Sequence, residues 1–117
     1  MTPKRGEIYL VGFDPAQGAE IKKTRPALVV QNNVGNRYGN TVIVAAISSH
    51  KEERRLYPVD VQITRPEGGL QVDSVILLDQ IRAVDKSRLL KKLGKCSPST
   101  MTRVDRALLI SLGIIKL

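Results

Sequence analysis

The chain has 117 residues and a mass of 12.9 kDa, with 19 Lys and Arg against 11 Asp and Glu and one His, a formal net charge of +8. That length is the usual size of one domain, so a single unit over 1–117 is expected, and a 42% hydrophobic content is too high for a disordered tail. No apolar run approaches the ~20 residues of a membrane-spanning helix, no signal-peptide stretch opens the sequence, and one cysteine, Cys96, excludes an internal disulfide framework. The chain reads as a soluble cytoplasmic domain.

Residues 7–13 are rich in β-formers after Gly6 and predict a first strand. A loop of about a dozen residues follows to Arg25, broken by Pro15 and Gly18 and charged at Glu20, Lys22, Lys23 and Arg25; loops this long in small domains are often functional. Pro26 opens the apolar run 27–31, a buried strand. Turn-formers over 32–40, among them Gly35 and Gly39, predict a connecting loop. Residues 41–48 are β-branched at the start and apolar on both faces until Ser48, as a mid-sheet strand would be.

The polar stretch 50–56 reads as a solvated loop, and 57–63 alternates apolar with polar as a half-exposed strand does. Residues 66–69 make a turn, and a further strand runs from Ser74 through Leu78 towards Ile81 and Val84. Asp85 caps one helical turn over 85–89, with 90–96 left open. Ser97 and Pro98 then start a clear helix, with Met101, Val104, Leu108 and Leu112 on one side and Arg103 and Arg106 on the other. About five strands and a terminal helix imply a small, strongly curved, largely antiparallel sheet closed by one helix.

Residues 1–60 hold nine basic and six acidic side chains, and 61–117 hold ten and five, so no tail accounts for the basic excess. Such a surface attracts polyanions, nucleic acid above all. The acids are scattered; their one adjacent pair, Glu52-Glu53, lies among Lys51, Arg54 and Arg55, so a two-metal site is not expected. One His and one Cys cannot close a zinc site, and no phosphate-binding glycine loop is present. No cofactor is implied.

RNA cleavage needs no metal. The 2′-hydroxyl attacks the adjacent phosphorus, and donors fixed at the phosphoryl oxygens stabilise the charge that develops there. Arginine suits that role through its paired N–H donors, and a serine hydroxyl adds another. His50 has the side chain whose ordinary pKa, near ~6.5, suits proton transfer, although in a charged loop it reads first as a surface residue.

The sequence from Gly6 to Tyr9, Asp14-Pro15, Gly18-x-Glu20 and Arg25-Pro26 through Asn32 resembles the opening half of the MazF/PemK toxin family. The runs 41–48, 73–82 and 104–112 continue the resemblance over nearly the whole chain. It implies an SH3-like β-barrel with helices, acting as a homodimeric, sequence-specific, metal-independent endoribonuclease. The expected target is single-stranded RNA, mostly mRNA, cut to leave a 2′,3′-cyclic phosphate and a 5′-hydroxyl.

By that resemblance Arg25 is the catalytic arginine, and Ser48 stands where the better-known pattern has threonine. It also places Gly18, Glu20, Lys22 and Lys23 on a substrate-gating loop, with the lysines drawing phosphates. Asn32, Gln80 and Arg82 match polar positions near the groove and either reach RNA or bond the backbone; Phe13 and Tyr38 either stack on bases or pack. The implied partner is a cognate antitoxin with an acidic tail that covers the same groove. Two rival readings remain: a toxin of the same fold class that binds DNA gyrase, and an RNA-binding module without catalysis.

Overall fold

The β-branched and aliphatic runs pair into one antiparallel sheet. In a computed structural model that describes residues 2–13, 24–50 and 55–117, the elements are β1 (Glu7–Gly12), β2 (Thr24–Val29), α1 (Asn33–Tyr38), β3 (Thr41–Ser49), β4 (Asp60–Ile63), β5 (Ser74–Asp85), β6 (Leu89–Lys95) and α2 (Pro98–Ser111). The strands lie in the order β4-β5-β3-β2-β1-β6, each neighbour antiparallel. The expected mainly-β architecture with a terminal helix is what forms. Its hydrogen-bonded order is open, however, with β4 and β6 as edges, so the implied barrel is not closed by strand pairing.

Four main differences from the sequence reading stand out. β2 runs Thr24–Val29, because its pairing with β1 extends to Thr24↔Gly12, so Arg25, expected at the end of a loop, lies within the strand, and residues 30–31, expected in it, lie beyond. Residues 33–38 form a short helix where a loop was expected, because the Asn32 side chain accepts from the Gly35 amide at 2.8 Å and the Gly39 amide bonds back to the Gly35 carbonyl. The strand expected from Tyr57 begins at Asp60, since the Tyr57 amide donates to the Asp60 carboxylate and closes a turn first. Residues 89–95 form a strand, drawn into the sheet by β1, which runs Glu7↔Lys95 to Val11↔Leu89 with two register shifts. Ser97 caps α2 at the Thr100 amide, and Asp85 caps the turn at 86–88, both as expected.

Alternation along each strand feeds two cores. Ile8, Leu28, Ile47, Ile63 and Ile76 face α2, packing with Val104 and Ala107. Tyr9, Val11, Ala27, Val29, Val42 and Val44 point to the other face, where Val84, opposite Val42, and Leu89, opposite Val11, extend the cluster and Phe13 packs against it. The Gly68-Gly69 turn packs on β6 so closely that a Cβ on Gly69 would strike the Leu93 carbonyl, and its φ of +76° favours glycine in any case. No helix among the described residues is long and apolar enough to cross a membrane.

One carboxylate ties β1 to β6. Glu7 is buried, pairs with Lys92 at 2.7 Å, and accepts from the Lys4 amide at 2.7 Å and the Tyr9 hydroxyl at 3.1 Å. Burial by itself raises the Glu7 pKa, but these three partners outweigh it and hold the carboxyl below its ordinary value. Burial and the Glu7 charge push the Tyr9 phenol up to about 12.

Leu28→Ala empties space in a fully buried position and is expected to cost about 2–5 kcal/mol, read as a lower urea midpoint at unchanged slope. Glu7, depressed in the folded state, contributes stability above its unfolded pKa of about 4.3, and that contribution fades as pH falls through the folded value. Glu7→Gln should therefore lower stability at neutral pH and flatten the acid side of the stability–pH curve. An unchanged curve would contradict the network.

Candidate active site

The site is set by where β2 and β3 stop pairing. Their register is Ala27↔Ala46, Leu28↔Ala45 and Val29↔Val44, and beyond β2 the Val30 amide donates to Ile43. In an antiparallel ladder alternate residues bond the same neighbour, so the amides of residues 30, 28 and 26 all point towards β3. Residue 26 is proline and has no N–H to give. The ladder ends there, although both strands continue: Pro26 still pairs with Leu10 on the β1 side, and Arg25 with Val11.

A cavity of about 750 Å³ opens at this break. Arg25 and Pro26 of β2 and Ile47 and Ser48 of β3 line it, with Leu10 below and Leu70 and Leu93 on the far wall. Arg25 is exposed and Ser48 half-buried. Extending the β2–β3 register by two residues sets Arg25 opposite Ser48, so side chains 23 positions apart in sequence border one space. The Ser48 hydroxyl makes a long 3.4 Å contact to its neighbour's carbonyl and stays available to an incoming acceptor.

The remaining sequence-predicted residues are dispersed. Gly18, Glu20, Lys22 and Lys23 lie outside the described residues. Asn32 sits beyond the other end of β2, its side-chain oxygen engaged in capping α1. Gln80 is exposed in a β5 bulge, where Ile81 and Leu77 face the consecutive residues Ala45 and Ala46, two positions before Ser48. Arg82 lies opposite Val44, with its guanidinium 5.3 Å over the Phe13 ring, while Phe13 packs on the inner core. Tyr38 is 74% exposed on α1, at the opposite end of β2 and β3 from Arg25 and Ser48.

His50 continues the strand for one step, its amide donating to the Asp73 carbonyl at 2.9 Å. Its Nε2 lies 3.1 Å from the Gln62 amide nitrogen, and its Nδ1 is buried without a partner. Cys96 is buried, and burial first, then the Glu67 charge, pushes its thiol up to about 12, which makes it a poor nucleophile. Among the described residues no group of His, Cys, Asp or Glu side chains is placed to hold a metal ion.

The cavity's far wall was not legible in the sequence. Leu70, Gln71, Val72 and Leu93 carry no motif, and the pairing of β6 with β1 and the glycine turn brings them there.

Residues 4–112 match the family model described as the PemK-like, MazF-like toxin of type II toxin–antitoxin systems. The chain is 44% identical over 115 residues to endoribonuclease EndoA of Bacillus subtilis (strain 168), covering 98% of each. Among solved structures it is similar to an endoribonuclease in complex with its cognate antitoxin from a Mycobacterial species, at 27% identity, TM-score 0.79, and 98% and 99% of the two chains. It is likewise similar to MazF from Deinococcus radiodurans, at 26% identity, TM-score 0.77, and 97% and 98%.

Proposed function

We propose that this chain, which belongs to the PemK-like, MazF-like toxin family and is an endoribonuclease toxin of a type II toxin–antitoxin system, cuts single-stranded RNA by metal-independent transfer to the 2′-oxygen. What carries the reading is that Arg25 and Ser48 border one cavity at the broken β2–β3 ladder.

A phosphodiester at this rim lies between a cation and a hydroxyl donor. The 2′-oxygen attacks phosphorus, its proton leaves, the bond from phosphorus to the 5′-oxygen breaks, and that oxygen takes a proton. The products are a 2′,3′-cyclic phosphate and a 5′-hydroxyl. Negative charge on the phosphoryl oxygens peaks midway, and a guanidinium fixed there stabilises that state more than the starting diester. Because a guanidinium stays protonated in proteins, Arg25 acts as a charge-stabilising donor and not as the base that removes the 2′-proton. Ser48 donates to the same phosphate and fixes its orientation.

The net charge of +8 supports both the substrate and the partner. RNA brings phosphates to a basic surface, and an antitoxin with an acidic tail competes for the same groove. The chain works as a homodimer, so that two such grooves act in one particle.

Incubating the pure protein with a long RNA in EDTA should give cuts at a short recurring sequence, each leaving a cyclic phosphate; intact RNA would defeat the proposal. Arg25→Ala should lower the cleavage rate about 10²–10³-fold while the protein stays folded. Ser48→Ala should cost about 10–100-fold, and Ser48→Thr should keep most of the rate because the hydroxyl remains. A folded Arg25→Ala protein that cuts at the parental rate would remove Arg25 from the mechanism.

A further inference from the structure

We infer that Gln71 selects the nucleobase beside the cut, an assignment that rests on the nuclease reading above. The register divides the cavity between two sides of the sheet. Val11 faces Arg25, and carrying the β2–β3 register onward sets Arg25 opposite Ser48, so these two side chains share one face. Leu10, Pro26 and Ile47 take the other face, because successive residues of a strand point to opposite sides. Arg25, Ser48 and these three all line the same cavity, which therefore passes between the strands where the ladder stops.

Behind the break lies the unsealed end of the α2-facing core. Ile47 and Leu70 belong to that core and Leu93 packs against it, and with Leu10 and Pro26 they give this side of the cavity an apolar lining. Such a slot, continuous with the Arg25–Ser48 rim, suits the ring of an unpaired nucleobase whose phosphate stays at the rim. Apolar walls hold a ring but separate one base from another poorly. A hydrogen-bonding group does separate them, since the wrong base leaves it unpaired. Among the described lining residues, Gln71 is the one whose side chain carries a donor and an acceptor side by side in a planar amide. It is exposed, and among the described residues its carboxamide has no hydrogen-bond partner. The Ser74 hydroxyl nearby is already engaged, donating to the Val72 carbonyl at 2.9 Å. The hydroxyls of Thr24 and Ser49 rotate to suit either a donor or an acceptor, and so discriminate less.

The test uses short RNA oligonucleotides that carry the sequence the parent protein cuts, assayed in EDTA. Each of the two nucleotides flanking the cut is replaced in turn by the other three bases and by an abasic ribonucleotide, which keeps the 2′-hydroxyl. Gln71→Leu keeps the side-chain volume and removes both hydrogen-bonding atoms, and at an exposed position it should leave the unfolding midpoint unchanged. On the parental sequence kcat/KM should fall about 10–100-fold, and at one flanking position the variant should lose the parent's preference among bases. With an abasic residue at that position, parent and variant should cut at equal rates, a result that a merely structural role would not give. A parental base preference kept by Gln71→Leu overturns the assignment, and so does a loss that persists on the abasic substrate. A Gln71→Leu defect confined to binding an Asp/Glu-rich peptide would give the position to a protein partner and also overturns it. A parent that leaves RNA intact defeats the nuclease reading and this one together. A parent that cuts, beside a Gln71→Leu protein of unaltered preference, defeats this inference alone.

Discussion

The absence of one amide hydrogen at Pro26 organises the end of the sheet that carries the candidate site. β2 lies between β1 and β3, and a strand in that position ordinarily bonds both neighbours along its length. Arg25 and Ala27, on either side of the proline, point their backbone groups to β1, while Pro26, turned towards β3, has no N–H to donate there. The consequence is local and useful: β2 stays anchored on one side while the other opens into a space bordered by Arg25 and Ser48. An interior strand is an unusual place for proline, and the open ladder is what makes it tolerable.

The rest of the fold supports that opening. The two cores clamp the paired parts of β2 and β3 from both faces, with Ala27, Leu28, Val29, Val44 and Ala45 all fully buried just before the strands part. Two side chains at the splayed ends are thereby carried on rigid elements, which precise phosphate chemistry requires. The Glu7–Lys92 pair joins β1 to the edge strand β6, with the Tyr9 hydroxyl holding the Glu7 carboxylate in place, and Leu93 and the glycine turn lie on the opposite wall. Charge-stabilising catalysis in such a space relies on donors already in position before the substrate arrives.

Much of this was legible in the sequence. The β-branched runs, the Asp85 and Ser97 caps and the helical spacing of Met101, Val104 and Leu108 are local signals, and each formed the element its chemistry favours. Arg25 before Pro26 and Ser48 near the end of an apolar strand were visible as well, because the resemblance to the toxin family marks both positions. The short helix at 33–38 was hidden, since Asn and Gly mark turns and caps alike and only the bond from Gly35 to Asn32 distinguishes the two.

What the sequence determined by itself was therefore the kind of element at most positions, the basic character of the surface and the identity of the two candidate reacting groups. Tertiary structure decided which groups share a space. Residues 89–95 have no strong preference of their own and became a strand only by pairing with β1, which put Leu93 on the cavity wall. The dispersal of Asn32, Gln80 and Arg82 to a cap, a bulge and an aromatic face was decided in the same way. Register is a relation between distant segments, and a one-residue slip would send each of these side chains to the other face, so no local pattern can encode it.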